Sequence, residues 1–216
     1  MHRQRLEAVT DFLLDPRHSS IVDQRERKYK LPGAEKIRVH LQCFLDGETA
    51  QANVNIGNTL DILDWRVVDG LNQVAAIAPE TFKRALQALW SQPRTGKNAD
   101  AFWATLDPGL DVLAPDVSKH FNGVGTRASV ASYCLFLADP MAVPFYRPGF
   151  GGKAINYLYE KNASLSKSSP GALLDDYHMR CKYLLRHFTD AGIPLKDLLD
   201  LQSALYATVR EHIEKS

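Results

Sequence analysis

The sequence predicts a mainly α fold, a multi-helix domain. Two observations carry that prediction. Apolar residues recur every three or four positions, as in Leu173, Leu174, Tyr177, Cys181, Leu184, Leu185 and Phe188, and again in Leu198, Leu201, Leu205, Val209 and Ile213. Proline and glycine interrupt these stripes at intervals, where helices are expected to start and stop.

Taken in order, Leu6, Val9, Phe12 and Leu13 keep helical spacing until Asp15-Pro16 ends it. Leu31-Pro32-Gly33 is expected to form a turn, after which Ile37, Leu41, Phe44 and Leu45 resume a stripe that stops at Asp46-Gly47. Residues 48–60 alternate only weakly through Asn53-Val54-Asn55-Ile56-Gly57-Asn58 and are read as loop. Leu60, Leu63, Val67 and Leu71 suggest a helix broken at Gly70. Pro79-Glu80 opens a clean one through Phe82, Leu86, Leu89 and Trp90, because proline suits the first turn and an acid suits the dipole there. The polar stretch Ser91 to Lys97 is the best internal boundary, so the single domain could divide into subdomains 1–92 and 98–216.

Beyond it, a short helix is expected over 100–106, turns at Pro108-Gly109 and Pro115, and a helical turn over 117–121. A buried helix over 126–137 then closes at Asp139-Pro140. The 173–188 stripe ends at Gly192, and the acidic pair Asp175-Asp176 reads as capping and dipole charge near that helix's start.

Composition narrows the function. The chain has 216 residues, 45% hydrophobic and 24% charged, which is globular usage and argues against wholesale disorder. No apolar run approaches the roughly 18 residues of a membrane span, and Met1 to Glu7 is not followed by a secretory core, so a cytoplasmic location is expected. Cys43, Cys134 and Cys181 are odd in number and widely spaced, as reduced core thiols would be. The seven histidines show no metal-ligand spacing, and neither a metal nor another cofactor is expected. Net charge is only +1. Basic residues do gather at Arg25, Arg27, Lys28 and Lys30, at Lys36, Arg38 and His40, and at Arg180, Lys182, Arg186 and His187, each of which reads first as a solvated face.

The most informative segment is Phe121-Asn122-Gly123-Val124-Gly125-Thr126-Arg127-Ala128-Ser129. A Gly-x-Gly turn between two helices permits positive φ and close approach, and it presents the amides at the second helix's start to an anion such as phosphate. Lys119 and Arg127 flank the turn and add charge. The alternative is an ordinary helix corner. Downstream, Phe145, Tyr146, Phe150, Tyr157 and Tyr159 cluster beside Arg147 and Lys153, a set that suits stacking on a base. Phe145 and Phe150 read more naturally as core, and Tyr146 and Arg147 stay open between the two roles.

Residues 123–129 resemble the hairpin of helix-hairpin-helix DNA-binding proteins, including base-excision glycosylases. Ala128 to Pro140, continuing into Val143-Pro144-Phe145-Tyr146-Arg147-Pro148 and Phe150, is similar to a region preceding the motor in McrB-type restriction ATPases and related AAA+ defence proteins. The resemblance covers about residues 80–215. It implies a DNA-recognition module of a bacterial antiviral or restriction system, gripping the backbone through Lys119, Gly123, Gly125, Thr126 and Arg127, with Tyr146, Arg147 and Lys153 in support. It also implies an ATPase or nuclease partner. Catalysis is not expected. Glycosylases of this type carry an Asp shortly after the place of Val143-Pro144, where this chain has Phe145-Tyr146-Arg147-Pro148. Gly149-Phe150-Gly151-Gly152-Lys153-Ala154 lacks the first Gly and the final Ser/Thr of a nucleotide loop. The rival reading is a protein-protein adaptor that tethers a defence ATPase or nuclease, which the near-neutral charge favours. A glycosylase with a displaced carboxylate is a weaker third.

Overall fold

A computed structural model of the chain describes residues 1–17, 25–160 and 164–215, with the side chains of residues 25 and 26 outside that description, as is His18. The described residues are helical with connecting turns, and they contain no strand. The main α class is therefore as the periodicity predicts.

The helices are α1 (Arg3–Leu14), α2 (Arg25–Leu45), α3 (Trp65–Ile77), α4 (Pro79–Trp90) and α5 (Gly96–Leu110). After them come α6 (Pro115–Ser118), α7 (Val124–Ala138), α8 (Lys153–Leu158), α9 (Pro170–Asp190) and α10 (Leu198–Ala207). Short 3₁₀ turns cover Ile56–Asn58 and Lys119–Phe121, and π-helical turns cover Pro148–Gly152 and Thr208–Ile213.

α7 is the centre. Every residue from Ala128 to Leu137 is buried, because α2, α4, α5 and α9 pack around it, and a helix apolar on all sides is stable only when so enclosed. Its polar atoms stay satisfied. Ser129 and Ser132 donate to the Gly125 and Ser129 carbonyls, and Ser132 Oγ accepts from the Tyr146 amide at 2.9 Å. Tyr133 Oη donates to the Val54 carbonyl at 2.6 Å, which with Asn72 Oδ1 accepting from Val54 N anchors the 48–64 loop on the core. Trp90 Nε1 reaches the Cys134 carbonyl at 2.8 Å. One buried apolar cluster runs from Leu6 to Val209. The 91–95 turn lies between the tightly packed α4 and α5, where Asn98 Nδ2 donates to the Ala88 and Ser91 carbonyls.

Four expectations need correction. Pro32-Gly33 is no turn but lies inside α2. An interior proline costs about 3 kcal/mol, and burial of Ala34, Ile37, Leu41 and Phe44 on one face outweighs it. Gly33 belongs there because a Cβ would lie 2.7 Å from Leu60 Cδ2. Gly70 does not break a helix: it lies within α3, with Phe121 so close that a Cβ would meet its ring at 2.6 Å. The helix itself starts at Trp65, not near Leu60, since Asp64 caps it by accepting from Arg66 N. Pro108-Gly109 lies within α5, Gly109 buried and Pro108 solvent-facing.

The fourth correction concerns Asp175-Asp176. Ser169 caps α9, while Asp175 Oδ1 accepts from the amide of Gly96 in α5 at 2.7 Å. Reciprocally, Asp100 Oδ1 accepts from the amide of Gly171 at 2.8 Å. Each helix start is thus closed by the other's carboxylate, four residues after its own glycine. A Cβ on Gly96 would lie 2.2 Å from the Gly171 carbonyl oxygen, and one on Gly171 would lie 2.1 Å from the Gly96 oxygen. The two backbones touch, and only glycine fits.

Several residues of the basic clusters are likewise structural. Arg27 pairs with Asp197 and, at 2.7 Å, with the buried Asp200, tying α2 to the start of α10. Arg180 pairs with Asp176 at 2.7 Å and lies 4.4 Å over the Tyr159 ring.

Candidate nucleic-acid interface

The connection into α7 is short. Pro115 starts α6, the 3₁₀ turn buries Phe121 against Gly70, and Gly123 turns the chain at φ +87°, a conformation that an L side chain rarely adopts. Gly123 supplies no side-chain cap, so the first amides of α7 meet no capping group from it. Nothing lies within 4 Å of a Cβ built at Gly123, and one at Gly125 would make only an ordinary 3.8 Å contact with Pro148.

Beside this turn lies a cleft of about 390 Å³, walled by the 62–67 segment, by His120, Thr126 and Ser129, and by Arg147-Pro148-Gly149. It continues past Leu63, Asp64 and Arg147 into a second cleft of about 520 Å³ that contains Asn55, Asp61, Trp65 and Asp69. Arg147 stands at the junction. Its guanidinium lies 5.0 Å over the Phe150 ring, and among the described residues it has no carboxylate partner. Trp65 is 74% exposed, the most exposed of the large hydrophobic side chains described.

The expected site residues do not all meet. Lys119 is exposed at the 3₁₀ turn, Gly123 is exposed, and Gly125 and Thr126 are half-buried, Thr126 lining the cleft. Arg127 turns inward. It forms a two-toothed pair with Asp107 at 2.7 and 3.1 Å, donates to the Phe121 carbonyl, and lies 4.8 Å over Trp103, whose indole N–H bonds back to the Arg127 carbonyl. Its charge is engaged in holding the turn into α7. Tyr146 is buried edge-on against Tyr177, so its ring is no stacking surface. Lys153 pairs with Glu214 at 2.8 Å and is not among the cleft's lining residues.

The glycines of 149–153 also have a packing explanation. A Cβ on Gly151 would lie 2.2 Å from Tyr177 Oη, and one on Gly152 would lie 3.2 Å from Tyr146 Oη. Asp139 closes a turn by accepting from the Ala142 amide at 3.2 Å, as its position before proline suggests.

Electrostatically the cleft is mixed. Arg147 and His120 line the side nearest the turn into α7, and the exposed Lys119 precedes His120. Asp61, Asp64 and Asp69 face the Trp65 side, where the Arg66 guanidinium and amide hold the Asp64 carboxyl down to about 2. Trp65 was missed in the sequence, yet a signal existed. It opens α3 two residues before Val67 and off the buried Val67, Leu71 and Val74 stripe, where a tryptophan has no core to enter. Among the described residues no group of three or more His, Cys, Asp or Glu could hold a metal ion, and no helix is long and apolar enough to cross a membrane. No family model, curated protein or solved structure matches this chain.

Proposed function

We propose that this chain is a non-catalytic DNA-recognition module of a bacterial antiviral defence or restriction system, holding the backbone at the 121–129 hairpin. One observation carries the reading: Thr126, in the first turn of an α7 whose Gly123 supplies no side-chain cap, and Arg147, without a carboxylate partner among the described residues, line a single cleft of about 390 Å³. Helix-start amides and a guanidinium are both phosphate ligands. Lys119 adds a cation beside the turn, and Trp65 offers a ring to an unpaired base. Arg127 acts through position: it fixes the hairpin on Asp107 and Trp103 and does not itself reach the backbone. The resemblance to McrB-type proteins supplies the setting, in which an ATPase or nuclease partner does the work.

The test is fluorescence anisotropy with labelled duplex and single-stranded DNA at two salt concentrations. Arg147→Gln and Lys119→Gln should each weaken binding about tenfold and reduce the salt slope by roughly one. Absence of binding at low salt, or binding indifferent to salt, overturns the reading. The protein-adaptor reading keeps a specific support, the carboxylates Asp61, Asp64 and Asp69 around Trp65, which repel phosphate. Pull-down before and after nuclease treatment separates the two, because an association bridged by DNA disappears with the DNA.

A further inference from the structure

A third cavity, on the other side of Arg147, has a chemistry of its own. It measures about 130 Å³ and lies between α2, the 145–151 segment and α10. We propose that it binds a small planar anion bearing a hydrogen-bond donor, of the hydroxybenzoate class.

An apolar cavity of roughly 150 Å³ admits a benzene ring. At about 130 Å³, with Tyr29 and Tyr206 exposed at its edge, this one takes a single ring whose polar groups reach the rim. Its walls include the rings of Tyr29, Phe150 and Tyr206; Phe150 and Tyr206 pack on each other at 4.8 Å with Arg210 over both, and so form one aromatic wall. Flat faces favour a flat occupant.

Charge is the second argument. Arg147 lines the cavity, and none of its described lining residues is acidic. Arg147, without a carboxylate partner among the described residues, is the natural contact for a carboxylate.

The third argument is a polar atom left over. Gln202 lines the cavity, and its Nε2 donates to the Phe145 carbonyl, which fixes which end of the amide is oxygen. Its Oε1 is buried without a partner. Such acceptors nearly always find a donor, and an O–H or N–H on the ligand supplies one after a small turn of the side chain. Gly151 keeps the cavity in this shape, because Tyr177 Oη occupies the place of any Cβ there. The segment is π-helical, a local widening common at ligand sites.

The experiment is calorimetric titration of the full chain at neutral pH with 4-hydroxybenzoate, benzoate, benzamide and 4-methoxybenzoate. The hydroxybenzoate should bind about tenfold tighter than the neutral amide and several-fold tighter than the two acids that lack a donor, tenfold being about 1.4 kcal/mol. Arg147→Gln should weaken it about tenfold, and Gln202→Leu should abolish the preference for the hydroxyl while retaining benzoate binding. If Gln202→Leu does not fold, the methoxy comparison on the wild type gives the same information. No binding at about 10 mM, equal binding of acid and amide, or indifference to Arg147→Gln overturns the proposal. Both readings use Arg147, but the titration is run without DNA, so failure of one leaves the other standing.

Discussion

Two glycine pairs in this chain invite comparison. Gly123 and Gly125 form the conspicuous Gly-x-Gly of the sequence, yet space surrounds the place where each Cβ would go. Gly96 and Gly171 lie 75 positions apart in the sequence, with no motif to mark them, and their backbones are in contact. One pair is open, Gly123 serving the turn and Gly125 lying already inside α7. The other joins α5 to α9 and carries a reciprocal set of hydrogen bonds from Asp100 and Asp175. Glycine in a motif and glycine in a close approach answer different demands, and only the second is sterically absolute.

The comparison can be broken most forcefully at the clasp. Gly96→Ala forces its Cβ onto a backbone oxygen, which cannot swing away as a side chain can. The expected loss is about 3 kcal/mol or more in chemical denaturation, or failure to fold. A fully stable Gly96→Ala would show that α5 and α9 can separate freely. Next in size is Asp175→Ala, which leaves the Gly96 amide without its acceptor and should cost about 1–3 kcal/mol.

Arg127→Ala should follow at about 1–2 kcal/mol, because the pair with Asp107 is only partly exposed and the Trp103 contact goes with it. Faster amide exchange at residues 122–127 would distinguish a loosened hairpin from a general loss of stability. Smallest are the hairpin glycines themselves. Gly123→Ala is strained by its positive φ and should cost about 1 kcal/mol, whereas Gly125→Ala, inside α7 with room for a methyl, should be neutral or stabilising by up to about 1 kcal/mol.

Acid offers a finer probe of the clasp. His178 lies one turn beyond Asp175 in a small niche with Arg94, and burial first, then Lys182, holds its pKa below the ordinary value. A histidine with a depressed folded-state pKa contributes stability above its unfolded pKa of about 6.5 that is lost as pH falls through the folded value. Stability should therefore decline between neutral and mildly acidic pH, and His178→Gln should flatten that decline. Thiol labelling marks the same contrast between core and periphery. Burial pushes Cys134 and Cys181 up to about 12, so both should resist a thiol reagent until the chain unfolds, while the half-buried Cys43 reacts first.

Much of the fold was legible because helical periodicity is local. The stripes of α1, α4, α9 and α10 and the stop signals at Asp15-Pro16, Asp139-Pro140 and Gly192 all show in short windows of sequence. What misled were Pro32, Gly70 and Pro108-Gly109, where a local breaker lost to burial of the surrounding face. The candidate site was legible in part. The turn at Gly123 and Arg147 could be picked out by residue type, but Arg127 and Tyr146 face inward, and Trp65 declares itself only against a known buried stripe.

The sequence by itself determined the helical class, the place of most helices and the turn at Gly123, since each depends on residues within a few positions of one another. Only the tertiary structure decided which cations are free and which glycines are indispensable. A guanidinium's availability depends on whether a carboxylate stands beside it, as Asp107 does for Arg127 and none of the described residues does for Arg147. A glycine's necessity depends on what fills the space over its Cα, as Gly171 does for Gly96. Both are facts about neighbours distant in the chain, which no local pattern contains.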